Sequence, residues 1–125
     1  MSAAIYDIYI EQGATFQKEC TYKDANGDPI DLTDMTMAAQ IRRSYSDASV
    51  TQVITVTIAD QSEPENLGKF TLSISAEDTA TIPVAPAASY ETPATPYAWD
   101  LQLDTGSQVL RLMQGTAYVS PEITK

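Results

Sequence analysis

The chain of 125 residues contains no histidine. That removes the commonest general base and the commonest transition-metal ligand. No Ser/His/Asp or Cys/His arrangement can form without it. Cys20 is the only cysteine, so no intramolecular disulfide can form. It shares parity with Phe16 and Tyr22, which predicts a buried, inert thiol. A reactive or crosslinking thiol is the alternative. Basic residues are few, 7 against 17 acidic, giving a formal net charge of −10. An acidic surface disfavours nucleic-acid backbones and anionic membranes, so neither is expected as a partner. It suits a soluble protein, or one docked on a basic partner surface. No window is long and apolar enough to cross a membrane as a helix. The first residues lack the charged start and apolar run of a signal peptide. With five glycines there is no glycine-rich phosphate cradle, and no cofactor is expected.

What is present is enough for a core. The hydrophobic share is 43% and the charged share 19%, ordinary for a globular chain of one domain spanning residues 1–125. The strongest pattern lies late. Tyr97, Trp99, Leu101 and Leu103 share one parity, and Ala98, Asp100, Gln102 and Asp104 share the other. Strict alternation at period two marks a strand with one buried and one wet face. Thr105-Gly106-Ser107 supplies a turn, and Gln108 to Met113 a returning arm. Trp99 is the only tryptophan. It sits on the apolar face and is expected to anchor the core with Leu101, Leu103 and Phe70.

The same reading applies along the chain. Ile5 to Ile10 is a first strand, broken by Glu11-Gln12-Gly13. Thr15 to Lys23 is a second, where Lys18 interrupts the apolar face of Phe16, Cys20 and Tyr22. An inward lysine suits a sheet edge, where it reaches water and blocks further pairing. Asn26-Gly27, inside Lys23 to Pro29, is a strong short-range hairpin signal. Thr36 to Arg43 is a third strand with Met37, Ala39 and Ile41 inward. Thr51 to Ile58 follows a polar loop at 44–49 and turns Ile54, Val56 and Ile58 to one face. After an acidic loop to Gly68, Lys69 to Ser75 points Phe70, Leu72 and Ile74 inward. Ser75, with Asp78 three residues on, predicts one short helical turn closed by Pro83. Val84 to Pro96 is rich in alanine and proline and reads as an extended surface loop. Gln114-Gly115 is expected to kink the chain before a last short strand, Thr116 to Ser120. Seven to eight short strands with turns between them predict an antiparallel, immunoglobulin-like β-sandwich with one short helical turn.

Three short motifs invite chemistry. Asp104-Thr105-Gly106-Ser107 spells the active-site triplet of aspartic proteases, which share a proton between two aspartates. A homodimer could supply one from each copy. Only 21 residues follow Asp104, however, and they read as strands. Asp-x-Gly-Ser is also good turn chemistry. Asp24-x-Asn26-x-Asp28 resembles the start of a calcium-binding EF-hand loop. Pro29 stands where that loop needs glycine and Met35 where it needs a bidentate glutamate, so a hairpin loop is the better reading. Weak calcium binding, with Asp31 or Asp34 adding ligands, is the alternative. Arg42-Arg43, with Arg111, makes a small basic spot on an acidic protein. Arg42 and Arg43 are candidate partner contacts, because arginine is enriched at interfaces. So are Tyr90, Pro93 and Pro96, because a proline-stiffened aromatic loop loses little entropy on binding. No catalytic or metal-binding residue is assigned.

Three segments carry a resemblance. The first is Tyr9 to Phe16. The second is Tyr22 to Asp34, with Asp24-Ala25-Asn26-Gly27-Asp28-Pro29-Ile30-Asp31-Leu32-Thr33, continuing through Met37 to Arg42. The third is Tyr97-Ala98-Trp99-Asp100-Leu101, then Leu110 to Gly115 and Val119 to Thr124. Their order resembles small virion structural proteins of tailed bacteriophages, similar in style to the N-terminal domain of siphophage baseplate upper proteins. Those proteins often have a tight glycine loop where Pro93 to Tyr97 stands here. The resemblance implies a non-enzymatic virion building block: an adaptor or attachment subunit of the tail, baseplate, neck or fibre. It implies other virion proteins as partners, a multimeric arrangement in the particle, and assembly in the host cytoplasm. A capsid decoration protein is the alternative within that class. From other classes, the alternatives are a homodimeric aspartic protease using Asp104 and a carbohydrate- or calcium-binding recognition module.

Overall fold

The computed structural model describes residues 4–84 and 94–122. Eight strands form: β1 (Ala4–Ile5), β2 (Ile8–Glu11), β3 (Phe16–Thr21), β4 (Thr36–Arg42), β5 (Gln52–Ile58), β6 (Lys69–Ile74), β7 (Thr95–Asp104) and β8 (Val109–Ser120). A five-residue helix, α1 (Ala76–Ala80), lies between β6 and β7. Its N-cap is Ser75, whose Oγ accepts from the Asp78 N–H at 3.2 Å. The expected all-β sandwich with one short helical turn therefore forms. One further turn, a 3-10 helix at Pro64–Asn66, interrupts the acidic loop.

Strands run in the order β1-β8-β7-β4-β5-β6-β3, with β2 also on β8. The strip curls into two layers because β5 changes partners along its length. Its first half, through Ile54, pairs with β4, and its second half, from Thr55, pairs with β6. A strand that switches layers makes a corner of the sandwich. Between the layers sits one core. Ile41, Ile54, Trp99, Leu101, Leu103 and Val119 come from the front layer, and Phe70, Leu72 and Ile74 from β6 behind. Trp99, Phe70, Leu101 and Leu103 are all at most 1% exposed, as expected of core anchors. Leu32 and Ile82 plug the core from loops.

Four expectations need correction. The pairing is mixed, not purely antiparallel, since β1 and β2 both run parallel to β8. Their shared segment is not one strand but two, parted at Tyr6-Asp7. Asn26-Gly27 does make a tight turn, with Gly27 at φ 86° and a bridge between Lys23 and Pro29. Its flanking strands nevertheless do not pair. β3 pairs with β6 and β4 with β5 and β7, because the apolar faces of β3 and β4 serve different layers. Finally, β8 runs unbroken past Gly115. The irregularity falls at Leu112 instead, where Leu101 pairs with Met113 but Gln102 with Arg111. One extra residue there is a β-bulge.

Gly115 has another task. A Cβ placed on it would lie 2.2 Å from the Tyr6 carbonyl oxygen. The break between β1 and β2 presses the chain against β8 at that point, and only glycine leaves room for it. Asp7 then substitutes for the broken ladder, with its Oδ1 accepting from the Thr116 N–H at 2.9 Å. A second tie secures the N-terminal turn to α1. The buried Thr79 hydroxyl donates to the Ala14 carbonyl at 2.8 Å and accepts from the Gly13 N–H at 3.0 Å.

Candidate functional site

The outer face of the front layer carries the residues opposite in parity to the core. Register places them in rows. Ala38 lies beside Gln102, which lies beside Arg111. Gln40 lies beside Asp100, and Asp100 beside Gln114. Arg42 lies beside Ala98. This face carries a depression of about 360 Å³ lined by Gln40, Arg42, Asp100, Gln102, Arg111 and Gln114. Tyr45, from the turn after β4, lines it as well.

The side chains there are held in place. Arg111 Nε lies 3.3 Å from Asp100 Oδ2, the only ion pair among the described residues. Its Nη1 donates to Gln114 Oε1 at 3.3 Å. Arg42 Nη1 donates to the Asp47 carbonyl at 2.9 Å, and Nη2 to Gln40 Oε1 at 3.0 Å. The Tyr45 hydroxyl donates to the Gly115 carbonyl at 2.8 Å, with the Trp99 carbonyl 3.2 Å away. Tyr45 as a whole is 59% exposed. The Trp99–Gly115 pair is thus gripped on both faces: Tyr45 outside, Tyr6 and the Trp99 indole inside.

A second surface lies along the N-terminal edge. Ile5 is 73% exposed, Tyr9 71% and Tyr6 39%. Tyr9 stacks on its cross-strand neighbour Tyr118, with ring centroids 5.4 Å apart. The ammonium of Lys18, on the far edge strand β3, lies 5.6 Å from the Tyr6 ring centroid. The Tyr6 hydroxyl raises the Lys18 pKa, chiefly by hydrogen bonding. Lys18 and Glu19 are exposed on β3, which fits the edge role read for this strand. At the same end an apolar depression of about 360 Å³ is lined by Ala4, Tyr22, Phe70, Leu110, Leu112 and Met113.

The candidates read from sequence fall into several places. Arg42 and Arg111 share the front depression, but Arg43 does not line it. Arg43 is exposed, and its charge acts on Tyr97. The Tyr97 hydroxyl donates to the Pro83 carbonyl, and burial pushes its pKa above the usual phenol range. Pro96 is exposed near the start of β7, so that strand begins inside the segment read as a loop. Tyr90 and Pro93 lie outside the described residues. Cys20 is half-buried against the core, and desolvation raises its pKa.

Two of the three motifs that invited chemistry serve as turns. Asp104 Oδ1 accepts from the Gly106 N–H at 2.9 Å at the exposed tip of the β7–β8 hairpin. Asp24 Oδ1 accepts from the N–H groups of Asn26 and Asp28 at 2.9 and 3.0 Å. Sequence reasoning missed Gln40, Gln102, Gln114 and Tyr45, since only the register brings them together. The alternation did show that Gln40, Asp100 and Gln102 face outward.

No protein-family model matches the chain. No curated protein matches it. Among solved structures, one of VGSC beta subunits, from site-directed photo-crosslinking of multimeric cell-adhesive interactions, is similar at 10% identity and a TM-score of 0.35. That match covers 94% of this chain and 92% of the other. A TM-score at that level carries no argument about function.

Proposed function

We propose that this chain is a non-enzymatic structural subunit of a tailed-bacteriophage particle, an adaptor that joins neighbouring virion subunits at the tail, baseplate, neck or fibre. The motif order from Tyr9 to Thr124 supports the particle. The observation that carries the docking role is the N-terminal edge, where Ile5 and Tyr9 are largely exposed and Ala4, next to Ile5, lines the apolar depression. Exposed apolar side chains grouped beside a concave apolar surface mark a contact site more often than a solvated face. The edge strand β1 is only two residues long. Contact there therefore rests on side chains rather than on an added strand.

The test is to separate heads from tails of particles produced by the virus that carries this gene, and to identify this chain by mass spectrometry. The reading expects it in the tail fraction. Recovery with heads would favour the decoration role. Absence from both fractions would overturn the reading.

A further inference from the structure

The front depression is a surplus of hydrogen-bond donors. Arginine can only donate, so the carboxamide oxygens of Gln40 and Gln114 must turn toward Arg42 and Arg111, and they do. Their NH₂ groups make no hydrogen bond among the described residues. Arg42 uses two of its five N–H groups, both on neutral acceptors. Asp47, next to it, turns its carboxylate to the Ser49 N–H at 2.9 Å. Arg111 is matched by Asp100. Two guanidiniums against one carboxylate leave one half-buried positive charge without a counter-ion, on a chain of net charge −10. Partly desolvated cations bind anions more strongly than exposed ones.

The remaining groups narrow the class of anion. β7 is paired on both sides, by β4 and β8, so its backbone offers nothing to a peptide strand. Only side chains are presented. Gln102 is exposed and offers both a donor and an acceptor, and Asp100 keeps one oxygen outside its ion pair. Groups that donate and accept at short spacing match hydroxyls on a ring, each of which also does both. Tyr45 adds an exposed aromatic ring fixed at its hydroxyl end. We propose that this depression binds an acidic saccharide. Its carboxylate sits on Arg42, its hydroxyls on Gln102, Gln114 and Asp100, and its ring against Tyr45. The volume suits one or two sugar rings, at the small end of ligand sites.

The test is a titration of ¹⁵N-labelled protein, followed by NMR, with sodium glucuronate, glucose and sodium acetate as separate probes. Glucuronate should shift the signals of Gln40, Arg42, Asp100, Gln102 and Gln114 with a dissociation constant on the order of 1 mM. Glucose and acetate should each bind roughly tenfold more weakly, since each supplies only part of the match. Arg42→Gln should erase the preference for glucuronate over glucose. Gln102→Ala, at an exposed position with no structural bond, should weaken both sugars while leaving the melting temperature unchanged. The proposal is overturned if glucuronate causes no local shifts at about 50 mM. It is equally overturned if acetate matches glucuronate, if a glutamate-bearing peptide binds there more tightly, or if Gln102→Ala binds both sugars as the wild type does.

Discussion

The indole N–H of Trp99 donates to the carbonyl oxygen of Tyr6 at 2.8 Å, across 93 residues of sequence. That bond holds the N-terminal segment against the edge of β8 at Gly115. It also makes the core anchor and the proposed docking edge one mechanical unit. Trp99→Ala should cost about 3–5 kcal/mol, from lost burial and the cavity left behind. Trp99→Phe should keep part of the packing yet leave the Tyr6 oxygen without its donor, which alone costs about 1–3 kcal/mol in a buried setting. Urea unfolding of both variants checks this. A near-zero loss for Trp99→Ala would mean the side chain does not anchor the core.

Gly115→Ala should be destabilising even though it adds a single methyl group. The obstacle is backbone, the Tyr6 carbonyl, rather than the flexible end of a side chain. Overpacking of this kind costs about 1–3 kcal/mol. The amide signals of Tyr6 and Thr116 should shift most, because the Tyr6-Asp7 segment must move away and Asp7 loses its hold on the Thr116 N–H. A variant as stable as wild type with unmoved signals would contradict the close approach of Tyr6 to Gly115.

Tyr97 makes stability fall at alkaline pH. Folding raises its pKa, through burial first, with the Arg43 charge opposing. The folded state therefore holds the phenol proton more tightly than the unfolded state. The contribution is fully present below the ordinary phenol value near 10, and it is lost as pH rises through the higher folded value. Tyr97→Phe should remove this component and flatten the alkaline limb. It should also cost about 0.5–1.5 kcal/mol at neutral pH for the lost bond to Pro83. Melting curves from pH 8 to 11.5, compared between the two proteins, provide the check.

Asp104→Asn should change stability by less than about 0.5 kcal/mol, since asparagine also accepts from the Gly106 N–H. A peptidase activity that disappears with this substitution would restore the catalytic reading of the triplet.

Much of this fold was legible in the alternation of single strands. Trp99, Leu101 and Leu103 inward, Phe70 and Leu72 inward, and Ser75 capping a short helix all follow from local pattern. What the pattern could not carry is pairing between segments far apart. Nothing in Ile5 to Ile10 reveals that it runs parallel to β8, because parallel and antiparallel strands alternate alike. The Asn26-Gly27 turn is local and formed, yet the strands beside it serve different layers. Gly115 read as a kink because a strand glycine usually weakens pairing. Its actual cause, the passage of Tyr6, lies more than a hundred residues away in sequence. The front depression was hidden for the same reason. Its glutamines become a site only once β4, β7 and β8 lie side by side.

The proposed contact of the N-terminal edge with neighbouring subunits is open to direct measurement. The measurement is the copy number of this chain in purified particles, by quantitative mass spectrometry, for wild type and for the double variant Ile5→Ser, Tyr9→Ser. Both side chains are largely exposed, so the variant should fold, its melting temperature lowered only by the loss of the Tyr9–Tyr118 stack. The account predicts that it folds normally and is missing from the particles. Incorporation of the double variant at the wild-type copy number would contradict it.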